Sequence, residues 1–133
     1  MKPETKAEAE AWLAKAQTDL RAAQVDIAAS PPILSDALFH CQQAVEKALK
    51  AMLAANEQQP FKTHDLEALA ARSGRFMPHL GELIRKSYYL TTFASEFRYP
   101  GEEAEPGKEE TLAGLEIASS IVTAIASELQ NPH

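Results

Sequence analysis

At 133 residues the chain is long enough to bury one hydrophobic core and too short to call for a second, so residues 1–133 are read as one domain. A hydrophobic share of 45% against 24% charged residues, with abundant alanine and five glycines, argues against disorder and for helix over sheet. The formal charge of −6 argues against indiscriminate binding to DNA or an anionic membrane, and the one cysteine, Cys41, excludes an intrachain disulfide and fits a reducing compartment, the cytoplasm.

Thr5-Lys6-Ala7-Glu8 has the spacing of a capping box, and Leu13, Ala16, Leu20, Ala23 and Ile27 repeat at gaps of three and four until Pro31-Pro32. A first helix is expected over about residues 4–29. A second is expected over about 34–55, with Leu38, Cys41, Val45, Leu49 and Met52 as its seam and Asn56 past its end. After Gln58-Gln59-Pro60, Thr63 can cap a short helix with Asp65 in its first turn and Gly74 at its end. A third long helix is expected to open at Pro78, carrying Leu80, Leu83, Ile84, Ser87 and Leu90 inward and running as far as Phe97. Pro100, Gly101, Pro106 and Gly107 make a loop. A last helix from about Lys108, with Glu109 and Glu110 in its first turn, is expected to bury Leu112, Leu115, Ala118, Val122, Ile125 and Leu129. The fold class that follows is all-α: an antiparallel four-helix up-and-down bundle with one short extra helix between the second and third long helices. Residues 1–12 hold no apolar run behind a basic flank, and no stretch is read as long enough to span a membrane, so no membrane partner is expected.

Chemistry has to be sought on helix faces and in loops. A rotation of about 100° per residue sets His40, Gln43, Lys47 and Lys50 on one side of the second helix, opposite Leu38, Val45 and Met52. Such a stripe can meet an anion or a second protein, or be a solvated face. Arg98-Tyr99-Pro100 offers a guanidinium for bidentate contact with phosphate and a ring to stack on a base; the same residues can equally lock a helix end. His64 beside Asp65 can be a proton-transfer pair, and reads better as a helix cap with an acidic first turn. Trp12 reads as a packing anchor, Cys41 as a small buried hydrophobe, and Tyr88 and Tyr89 cannot both face inward. No metal site and no cofactor are expected, because His40, His64, His79 and His133 are scattered with no two one helical turn apart, and no glycine-rich loop is placed to cradle phosphates.

Phe39-His40-Cys41-Gln42-Gln43-Ala44-Val45-Glu46-Lys47-Ala48-Leu49-Lys50, then Lys62-Thr63-His64-Asp65-Leu66, then Arg98-Tyr99-Pro100, in this order and spacing, resemble the HEPN family of prokaryotic helical-bundle proteins. The similarity runs from the Trp12-to-Leu20 segment to the last helix. The resemblance implies a four-helix bundle that commonly dimerises and is often encoded beside a minimal nucleotidyltransferase, with which it forms a toxin–antitoxin-like pair. It also implies kinship with metal-independent ribonucleases, in which an arginine followed within a few residues by histidine meets its counterpart across a dimer cleft. Arg98 stands where that arginine belongs, but Glu103, Ala104 and Glu105 stand where the histidine would, and Glu102, Glu103 and Glu105 would repel a phosphodiester.

The expected function is therefore a binding module with no catalytic residues. It would dock a minimal nucleotidyltransferase and bind a nucleotide or RNA phosphate through Arg98, Tyr99, His40, Gln43, Lys47, Lys50, His64 and Asp65. The alternatives are a metal-independent ribonuclease toxin working without the motif histidine, and a purely structural dimerisation unit. A homodimer is expected from the resemblance and from surplus aromatics at Tyr88, Tyr89, Phe93 and Phe97.

Overall fold

A computed structural model of the chain describes residues 1–59, 62–94 and 105–130, and among these every regular element is helical. Helix α1 runs over Pro3–Ala28 and α2 over Leu34–Ala55, joined by a link that holds Pro31 and Pro32. Proline ends α1 because it lacks the amide a continuing helix would use. Ile33 N instead donates to Asp26 O at 2.9 Å and folds the chain back. Contacts between Asp19 and His40, Asp19 and Lys47, and Thr5 and Glu57 climb one helix while descending the other, so the pair is antiparallel.

Helix α2 is the centre of the molecule. Fourteen of its 22 residues are buried, among them Leu38, Leu49 and Leu53, each worth about 1.5–3 kcal/mol of apolar burial. It packs against α1, α3 (Leu66–Ser73) and α5 (Lys108–Gln130). Its alanines at 37, 44, 48, 51 and 54 are buried and leave room for neighbouring backbones to approach. At its end Glu57, rather than Asn56, takes the left-handed conformation with φ 57°. Gln58 N and Glu57 N then donate to Leu53 O and Ala54 O, while Asn56 Nδ2 caps Met52 O.

Three local expectations are corrected. The first helix starts at Pro3 with no side-chain cap, and Thr5 Oγ1 reaches Glu57 across the hairpin, so the capping box does not form. The short helix α3 is capped by Asp65, whose Oδ1 accepts from Glu67 N and Ala68 N; Thr63 Oγ1 accepts two residues earlier, from Asp65 N. The third long helix expected from Pro78 is broken, as far as the described residues reach, into a 3₁₀ turn over Pro78–Leu80, a short α4 over Gly81–Arg85 and a 3₁₀ stretch over Tyr88–Phe93, with a further 3₁₀ turn over Gly74–Phe76 before it. Ser87 supplies a reason: buried, it donates from Oγ to Ile84 O at 2.6 Å and competes with the helical ladder, and the aromatic and β-branched residues that follow are weak helix formers.

Helix α5 matches its expected start at Lys108 and buries Ala118, Val122 and Ile125, with Leu115 and Leu129 partly covered. Leu112 is exposed instead of buried, because the buried face at this end runs through Thr111 and Gly114. By length and composition α5 is apolar enough to cross a bilayer, which corrects the reading that no stretch is. Ala118, Ile121, Val122 and Ile125 are committed to the core. Phe93 is buried and Tyr88 packs on the core, leaving Tyr89 the exposed member of the described aromatics; Phe97 lies outside the described residues.

Candidate functional site

The polar stripe of α2 is covered. Asp19, at a seam position of α1 between Ala16 and Ala23, is 7% exposed and points into α2. Its Oδ1 lies 2.9 Å from His40 Nδ1 and its Oδ2 accepts from Lys47 Nζ at 2.6 Å. His40 and Lys47 are accordingly only about a quarter exposed, at 24% and 23% of their side chains. The stripe is thus an interface between helices where it carries His40 and Lys47, since a carboxylate on the apolar seam draws the cations inward. On its other side His40 Nε2 stands 3.4 Å from Asp36 Oδ2, one turn earlier on α2.

A second cluster lies nearer the end of α2. Glu46 is 3% exposed, and its carboxylate receives Lys50 Nζ at 2.9 Å, His64 Nδ1 at 2.8 Å and Gln42 Nε2 at 3.2 Å. Gln42, fully buried, also donates to His64 O at 2.9 Å and accepts from Gln43 Nε2 at 2.7 Å. Lys50 is held beneath the Trp12 ring, 5.4 Å from its centroid. Burying a carboxylate among three donors satisfies it, and in return fixes the connector that precedes α3. His64 therefore pairs with Glu46 and not with its neighbour Asp65, which is engaged in capping α3.

Beside the first cluster the surface dips into a shallow depression of about 320 Å³ lined by Ala14, Lys15, Thr18, Asp19 and Lys47. Lys15 and Thr18 are exposed, and Lys47 is shared between this depression and Asp19. The structure thus divides the expected site residues between His40 with Lys47, and Gln43 with Lys50 and His64; Arg98 and Tyr99 lie outside the described residues.

A family model of the HEPN domain matches residues 9–129, nearly the whole chain. The chain belongs to the HEPN family. No curated protein and no solved structure matches it.

In this HEPN domain the strings that carry the resemblance on α2 serve the fold directly, since Gln42, Glu46 and Lys50 hold the connector bearing His64. Glu103 and Ala104 lie outside the described residues, and Glu105 accepts from Ser35 Oγ at 2.8 Å. His79, farther off, pairs with Glu128. Cys41 is wholly buried, and burial with the nearby Asp19 and Asp26 charges pushes its thiol up to about 12, as befits a core residue.

The sequence reading missed Asp19, Glu46, Asp26 and Asp36. Asp19 and Asp26 are seven residues apart, two turns on one face of α1, and Asp36 extends the His40–Lys47 stripe by one turn; those spacings were visible signals. Asp26, Asp36 and His40 each present one ligand-type atom within 4.8 Å of the others, so metal-ligating side chains do converge although the histidines are scattered.

Proposed function

We propose that this HEPN domain is a non-catalytic binding module that docks a minimal nucleotidyltransferase and takes a nucleotide or RNA phosphate in the depression at Lys15, Thr18 and Lys47. The observation that supports it is the pairing of two lysines and a hydroxyl at a surface dip whose floor is fixed by Asp19. Lysine ammonium groups and a threonine hydroxyl are donors, and a phosphate is an acceptor of matching charge. Lys50 is a poorer choice for phosphate because it is buried against Glu46, whereas Lys47, although paired with Asp19, opens onto the depression beside the exposed Lys15.

The fold that goes with this reading is the antiparallel four-helix bundle of the family, the broken 78–93 segment standing in for the third long helix and α3 being the short extra helix before it. A cytoplasmic homodimer belongs to the same reading, with exposed Tyr89 and Leu112 available to a second copy.

The test is fluorescence titration of the full chain with a labelled single-stranded RNA and with ATP, comparing wild type with Lys15→Ala. Lys15 is exposed, so its removal leaves the fold alone. Saturable, salt-sensitive binding weakened by Lys15→Ala supports the reading. Binding of equal strength in both proteins, or none in either, overturns it. RNA cleaved in chelator by wild type and spared by Arg98→Ala would establish a ribonuclease in its place.

A further inference from the structure

Where α1 hands over to α2, three side chains from the two helices meet around one point. Asp26 comes from the last turns of α1, and Asp36 and His40 from successive turns of α2. One oxygen of each carboxylate and one imidazole nitrogen lie within 4.8 Å of one another. Donors on a shared cation at about 2.0–2.2 Å stand roughly 3–4 Å apart, so a modest closure suffices. Asp36, with 35% of its side chain exposed, has the freedom to supply it.

Two independent features aim this cluster at a cation. Asp26 Oδ2 is wholly buried and has no hydrogen-bond partner among the described residues. A buried unpartnered carboxylate oxygen is costly unless a proton or a cation meets it. His40, meanwhile, is oriented from behind. Its Nδ1 faces Asp19 Oδ1 at 2.9 Å, and a ring that donates from Nδ1 keeps its lone pair on Nε2, on the side of Asp36. A carboxylate holding the far nitrogen of a histidine is the usual support of a metal-ligating imidazole. The edge of the His40 ring is further fixed against Phe39, with centroids 5.1 Å apart.

We propose that Asp26, Asp36 and His40 bind one divalent transition cation of the Zn²⁺ or Mn²⁺ class, with Asp19 as the residue that positions His40. Two carboxylates and one imidazole suit these ions, and three protein ligands leave coordination positions for water. The ion would staple the end of α1 to the start of α2. The site adjoins the Lys15–Lys47 depression through Asp19, but Asp36 lines only the metal cluster and Lys15 only the depression, so Asp36→Asn and Lys15→Ala let metal binding and phosphate binding fail separately.

The chelator-stripped full chain would be titrated with ZnCl₂ by calorimetry and with MnCl₂ while amide and imidazole resonances are followed. The expected result is one ion per chain with a dissociation constant on the order of micromolar. Asp36→Asn should weaken it by at least about tenfold. Substoichiometric Mn²⁺ should broaden the resonances of Asp26, Asp36 and His40 before those of His79 and His64. That map uses the wild-type chain alone and decides the matter even if the variant folds poorly. Binding no tighter than millimolar, binding unchanged by Asp36→Asn, or broadening centred on His79 and Glu128 would each overturn the proposal.

Discussion

Asp19 and Lys47 join the first two helices through a 2.6 Å contact in which the aspartate side chain is only 10% exposed and the lysine side chain 23%. The same carboxylate holds His40, so one side chain on the α1 seam organises the stripe of α2. Cutting Asp19 to alanine would leave a half-buried ammonium and an imidazole without their shared acceptor. A broken buried pair costs about 3–5 kcal/mol, and the partial exposure of Lys47 brings the expected loss to about 2 kcal/mol. Urea unfolding of Asp19→Ala measures it, and Asp19→Asn, which keeps an acceptor oxygen, should lose less. Equal stability of Asp19→Ala and wild type would show that the contact contributes nothing.

The pH dependence of stability should bear the mark of Asp26. Its carboxyl is raised from 3.8 to about 6, first by burial and then by the adjoining Asp36 carboxyl, against the opposing charge of His40. A folded-state value above the unfolded one means that the proton is held more tightly in the native state. The resulting stabilisation is complete below pH 4 and is lost as pH rises through 6. In chelator, wild type should therefore lose stability between pH 4 and 7 relative to Asp26→Asn, which cannot titrate there. Melting temperatures of the two proteins across that range decide it, and parallel curves would refute the assignment.

Cys41 should resist alkylation. Its thiol is buried and pushed up to about 12, so almost no thiolate exists at pH 8 and none of it is accessible in the native state. Iodoacetamide labelling followed by mass spectrometry should show slow modification of the native chain and rapid modification in urea. Fast native labelling would mean that the packing of α2 opens readily at this point.

Glu57→Gly should stabilise the chain. Glu57 sits at φ 57°, a conformation that costs a residue with a Cβ roughly 1 kcal/mol and glycine little. Its side chain gives back an exposed 3.5 Å contact with Lys2 and a long 3.4 Å bond from Thr5, neither worth much. A net gain of about 0.5 kcal/mol is expected by urea unfolding, and a loss would show that the hairpin contact matters more than the backbone.

The long helices α1, α2 and α5 are legible in the amino-acid sequence, because a 3.6-residue apolar repeat and a proline stop are local properties of the chain. The sequence also carried the family resemblance. The interruption of the third helix was less legible, since Ser87 and the residues after it choose between an α and a 3₁₀ path according to what packs above them. The meaning of the polar stripe, by contrast, is set by how the helices pack. His40 and Lys47 look like a solvated face until the register of the α1–α2 hairpin sets Asp19 and Asp26 opposite them. Helix periodicity fixes which residues share a face; only the packing of one helix on another fixes which charges meet.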